Sequence, residues 1–108
     1  EGVINSDYFN LLHPILDKLN VKTIERIKLN MTTKENKIEQ YNFHCDTNKE
    51  CNTAIFYFNT NNGKTIFEGG EEISSVENKM IVFPSNFKHA GTTHTDTKYR
   101  LVLNINYN

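Results

Sequence analysis

His44 and Asp46 stand two positions apart in the run Tyr41-Asn42-Phe43-His44-Cys45-Asp46. On an extended backbone, side chains two apart point to the same side. An imidazole and a carboxylate side by side supply two of the three protein ligands of a facial iron site, which then needs a second imidazole from elsewhere. His89, in the run Phe83-Pro84-Ser85-Asn86-Phe87-Lys88-His89-Ala90-Gly91, can supply it. Arg100, one of only two arginines in the chain, follows on a strand-like run. A guanidinium is the natural bidentate partner of a carboxylate. These four residues together describe a metal with open positions and an anchored dicarboxylate beside it.

Taken singly, each of these residues is as easily a polar side chain near a turn. Their order, His-x-Asp, then a distant His, then Arg on the last strand, resembles the iron(II)/2-oxoglutarate-dependent dioxygenases. It is most similar to the prolyl-4-hydroxylase-like branch, in the small versions of phage and bacterial genomes. The resemblance runs from about Val21 to Tyr107. Its landmarks are Phe43-His44-Cys45-Asp46, Thr53-Ala54-Ile55-Phe56-Tyr57-Phe58-Asn59, Phe83-Pro84 through His89-Ala90-Gly91, and Arg100 with its strand.

The resemblance implies that His44, Asp46 and His89 ligate Fe(II), and that Arg100 grips the distal carboxylate of 2-oxoglutarate. It further implies O₂ as oxidant, ascorbate as a candidate reductant, and hydroxylation of a prolyl or other peptidyl C–H bond with succinate and CO₂ as co-products. Two alternatives stay open: the same chemistry on a small molecule or nucleobase, and a non-catalytic cupin-like binding module. Related hydroxylases place a tyrosine where Tyr57 stands. If Phe56 and Phe58 pack outward, its hydroxyl points inward and can donate to the same carboxylate, although a structural tyrosine fits equally. Asn104 is a further candidate for the cofactor pocket, as is Asn106. His94, five positions past His89, falls on the opposite face of a strand and is expected in a polar turn.

The elements that must position these groups are mostly strands. Ser6 or Asp7 can cap a helix over about 7–19, in which Tyr8, Leu11, Leu12, Ile15, Leu16 and Leu19 recur at helical spacing. Pro14 lies inside that pattern, so the helix either kinks there or begins there. His13, beside it, is expected to be exposed or capping. After Val21 the period changes to two. Strands are expected over 24–31, 41–45, 52–59, 64–67, 73–76, 79–83, 89–93 and 99–107, with Asn62-Gly63 as a hairpin turn. In the last of these, Arg100, Val102, Asn104 and Asn106 share one face and Leu101, Leu103 and Ile105 the other, the latter packing between layers. One leading helix and about eight short strands argue for a mainly β, single-domain chain, a double-stranded β-helix (jelly roll, cupin-like) over about 21–107. The resemblance implies the same fold.

At 108 residues the chain can bury one modest core. A net charge of -1 gives no reason to expect nucleic acid or a membrane as partner. The expected partner is a peptide or small-molecule substrate, and a cytoplasmic, phage- or bacterium-encoded setting is expected. The first residue is Glu1, which suggests a fragment with an element missing upstream. Cys45 and Cys51 lack zinc-site spacing and are read as free thiols, with a disulfide across a hairpin near Asn48 as the alternative.

Overall fold

A computed structural model describes residues 8–47 and 49–108, with side chains from Pro14 onward. The expected caps Ser6 and Asp7, the side chain of His13 and the turn residue Asn48 lie outside the described residues. Helix α1 spans Tyr8–Leu19 and runs through Pro14. It ends where Asn20 takes a left-handed φ of 55°. There the Asn20 N–H returns to the Asp17 carbonyl and the Val21 N–H to the Leu16 carbonyl. That double return is a Schellman cap, with Asn in the place glycine usually holds. No helix of the described residues is long and apolar enough to cross a membrane.

Seven strands follow: β1 (Ile24–Thr33), β2 (Asn52–Tyr57), β3 (Asn61–Phe67), β4 (Glu72–Ser75), β5 (Met80–Pro84), β6 (His89–Gly91) and β7 (Tyr99–Tyr107). They form two antiparallel sheets, of order β1-β7-β2-β5 and β4-β3-β6. This is the double-stranded β-helix expected from the strand pattern.

The expected strand over 41–45 is an extended segment joined to the β6 side by two isolated bridges, Gln40–Thr92 and His44–His89. It takes the eighth strand's place without a continuous ladder. The expected hairpin at Asn62-Gly63 does not form, because β2 and β3 lie in different sheets. The Asn-Gly pair instead sits in a register irregularity between Asn61 and Lys64. There the Gly63 N–H donates to Asn61 Oδ1 at 2.9 Å.

Alternation along β7 sorts the core into two layers. Leu103, Ile105 and Tyr107 pack with Ala54 and with Leu16 of α1, flanked by Ile15 and Leu19. The apolar face of β7 is therefore covered by the helix. Val102 faces the other way and packs with Ile55, Tyr57 and Phe83 between the sheets, against Phe67 and Ile73 of the smaller sheet. Arg100, Asn104 and Asn106 share that inner face. An amide or guanidinium on an inner face needs a partner, since burying a polar group unpaired costs free energy.

Candidate metal centre

His44 and His89 oppose each other across the gap between the extended segment and β6. Each backbone N–H donates to the other's carbonyl, at 2.9 and 3.0 Å. Direct opposition puts both side chains on one side, and the ring centroids lie 4.6 Å apart. Asp46, two residues beyond His44, projects the same way. Its Oδ1 lies 3.3 Å from His44 Nε2 and 3.4 Å from His89 Nε2. The ligand atoms of the three residues all fall within 4.8 Å of one another. The expected triad is assembled.

Its donors are set for a cation. His89 Nδ1 lies 3.0 Å from the Phe87 carbonyl, so the proton belongs on Nδ1 and the lone pair on Nε2. That Nε2 is buried and faces Asp46 Oδ1 at 3.4 Å. Phe83 stands edge-on to the ring at 4.9 Å, with Phe67 behind it. His44 differs: its side chain is 55% exposed, against 4% for His89. The site thus has one buried wall and one open rim.

Asp46 is oriented by groups that sequence motifs do not reveal. Its Oδ2 accepts from Asn106 Nδ2 at 3.1 Å and from Thr53 Oγ1 at 3.3 Å. Asn106 also donates to Thr53 Oγ1 at 2.8 Å. Thr53 meets Ser85 Oγ at 2.7 Å, and Ser85 meets Cys51 Sγ at 3.1 Å. A relay of donors from Cys51 through Ser85 and Thr53 satisfies every one of these contacts. With Oδ2 held, Oδ1 is left facing the two imidazoles. Burial alone would push the Asp46 carboxyl up. The hydrogen bonds from His89 and Asn106 and the charges of His89 and His44 outweigh it and hold the group at about 2. For His89, burial favours the neutral ring, but the bonds to Asp46 and the Phe87 carbonyl prevail and raise its pKa.

Thr53 and Ser85 were not among the expected site residues. The available signal was periodicity: Thr53 shares a face with Ile55 and Tyr57, which places a hydroxyl on the inner face of the most apolar strand.

Arg100 is buried on the same inner face, against β3 and β4. Its Nε donates to Ser75 Oγ at 3.2 Å, and Ser75 donates to the Gly63 carbonyl at 2.8 Å. A Cβ at Gly63 would come within 2.8 Å of Arg100 Cδ and Nε, so any larger residue there forces the side chain to shift. None of the ion pairs among the described residues includes Arg100. Burial lowers its pKa, against the favourable influence of Tyr57 and Tyr41. Tyr57 points inward as expected, but its hydroxyl pairs with Thr65 at 2.7 Å and not with Arg100. Burial raises the phenol's pKa, tempered by that bond and by the Arg100 charge.

Asn104 lines a cavity of about 210 Å³ beside the triad, with His44, Asp46 and Asn106. Its Oδ1 is buried without a partner. Arg100 is not part of that cavity's lining. His94, expected in a polar turn, is fully buried, and neither ring nitrogen is hydrogen-bonded. Its carbonyl accepts from Glu35 N–H, which ties residue 94 to the loop after β1. It stands apart from the triad. Both cysteines are free, as read, with Cys45 donating to the Asn86 carbonyl at 3.2 Å.

No protein-family model matches the chain, and no curated protein matches it in sequence. Solved structures do. The chain is similar to a cupin protein from Bacteroides fragilis, with TM-score 0.56 and 12% identity over 86% of this chain and 72% of that one. It is similar to FeII HppE in complex with substrate, with TM-score 0.57 and 11% identity over 98% of this chain and 57% of that one. It is also similar to a prolyl-4-hydroxylase from Pseudomonas putida, with TM-score 0.50 and 17% identity over 92% of this chain and 61% of that one. At these identities the likeness is one of fold. The chain is a cupin-type double-stranded β-helix with a His-Asp-His candidate metal site on its inner wall.

Proposed function

We propose that this chain is an Fe(II)- and 2-oxoglutarate-dependent dioxygenase that hydroxylates a C–H bond. One observation carries the reading: His44 Nε2, Asp46 Oδ1 and His89 Nε2 converge within 4.8 Å on one side of the barrel, which is the donor set of a facial ferrous site. His44, Asp46 and His89 would hold the ion. A bound ferrous ion, with 2-oxoglutarate and O₂, supplies the oxidising chemistry, yielding succinate, CO₂ and a hydroxylated product.

The protein's own groups do the rest. Asn106 and Thr53 fix the Asp46 rotamer, and the Phe87 carbonyl fixes the His89 tautomer. Phe67 and Phe83 keep water from the buried imidazole. Arg100 is a buried cation with no carboxylate partner among the described residues. A charge placed so demands an anion, and the distal carboxylate of 2-oxoglutarate is the partner in this reading. Tyr57, bonded to Thr65, supports the wall beside it.

The prolyl or peptidyl substrate rests on the resemblance and on the likeness to a prolyl-4-hydroxylase fold. A small-molecule substrate is the second reading, favoured by the confined polar cavity beside the triad. The test is succinate formation from 2-oxoglutarate under air with Fe(II), for the wild type and for His44→Ala and Arg100→Lys. Iron-dependent succinate lost in both variants supports the dioxygenase. Absence of turnover in the wild type, even uncoupled from a substrate, assigns the chain to the cupin-like binding modules.

A further inference from the structure

We propose that the cavity beside the triad is the substrate pocket, and that Arg26 and Lys28 select a small molecule carrying a carboxylate or phosphate. This rests on the dioxygenase reading for the identity of the cavity as a substrate site.

Strand β1 carries its apolar residues outward, with Ile27, Leu29 and Met31 opposite Ile105, Leu103 and Leu101. Its inner face therefore carries Arg26 opposite Asn106, and Lys28 opposite Asn104. Direct opposition on one face places these cations over the amides that flank Asp46. Both line the 210 Å³ cavity, together with Asn30 and Cys45. Both side chains are exposed on the edge strand of the sheet, so an anion can reach them from solvent.

Within that cavity the single carboxylate is Asp46, and it is committed: Oδ2 to Asn106 and Thr53, Oδ1 toward the imidazoles. Neither Arg26 nor Lys28 takes part in any ion pair among the described residues. The pocket is left with two uncommitted cations. A small anion meets that requirement. The volume, 210 Å³, matches about seven waters at roughly 30 Å³ each. A ligand that fills it entirely is a small molecule.

The test is titration of the whole chain, metal-free and then with Fe(II) and 2-oxoglutarate under nitrogen. Inorganic phosphate, lactate and uncharged glycerol serve as probes at fixed ionic strength, followed by amide chemical shifts and calorimetry. Phosphate or lactate should perturb residues 26–30 and 104–106. In Arg26→Gln/Lys28→Gln their affinity should fall at least tenfold while affinities for metal and 2-oxoglutarate hold. Glycerol binding as well as the anions, or anion binding indifferent to the double variant, overturns the proposal. So does 2-oxoglutarate affinity that falls in the double variant but not in Arg100→Lys, which would give these cations to the co-substrate. Failure of the wild type to bind metal or 2-oxoglutarate rejects the dioxygenase instead. Anion capture at residues 26 and 28 in the metal-free chain is read independently of that outcome.

Discussion

The side-chain amide of Asn106 donates to Asp46 Oδ2 at 3.1 Å across sixty residues of sequence. This contact joins the last strand to the candidate metal-binding segment and decides which carboxylate oxygen faces the two imidazoles. Asn106→Ala should leave the fold in place and weaken metal binding roughly 10–100-fold, as removal of a partner behind a ligand typically does. Cobalt(II) titration by visible absorption measures it. Unchanged affinity would show that Asp46 needs no such support.

Metal binding should depend steeply on pH. His89 binds a cation only as the neutral ring, and its pKa is raised. Below that raised pKa the affinity should fall about tenfold per pH unit, one proton being released per ion bound. Calorimetric titrations in buffers of different ionisation enthalpy count that proton.

The metal-free chain should respond in two opposite ways. His89, raised in the fold, contributes stability that is complete below its unfolded pKa and is lost as pH rises through the folded value. Asp46, lowered to about 2 from 3.8, contributes stability present above the ordinary carboxylate range and lost as pH falls toward 2. Thermal midpoints without metal should therefore be highest in mildly acidic buffer, and added metal should move the optimum upward in pH.

Arg100 tests the link between stability and ligand binding. A buried guanidinium without a carboxylate costs folding free energy, so Arg100→Met should stabilise the ligand-free chain by about 1–3 kcal/mol. The same change should abolish 2-oxoglutarate binding. Denaturant melts and ligand titrations on one preparation give both answers. A loss of stability would mean that the Ser75 contact outweighs desolvation.

Gly63→Ala probes the passage that admits this side chain. The added methyl would meet Arg100 Cδ and Nε at 2.8 Å. An overpacking cost of about 1–3 kcal/mol is expected, together with weaker 2-oxoglutarate binding and unaltered metal affinity. Equal loss of both affinities would point to general disruption.

Much of the architecture was legible because it follows from alternation. The inner and outer faces of β7 and the inward turn of Tyr57 need only the period of a strand and a sense of which residues tolerate burial. The triad was legible because His44 and Asp46 are two apart and a second imidazole was required. Asn62-Gly63 has the chemistry of a hairpin turn, but turn chemistry is local and cannot say that β2 and β3 belong to different sheets. His94 was misplaced for a related reason: a turn-like composition around it says nothing of the loop after β1 that closes over it. Thr53 and Ser85 escaped notice because hydroxyls on strands are common, and only their meeting beneath Asp46 gives them a role.

The segment bearing His44 and Asp46 is fastened to its neighbour by two isolated bridges where other strands have full ladders. A cation gripping that segment and β6 at once would act as a rivet across the weakest seam of the barrel. Loading would then tighten the wall itself, and amide protons near Tyr41–Asp46 would exchange slowly only in the charged-up protein. Metal supply would then govern the shape of this chain.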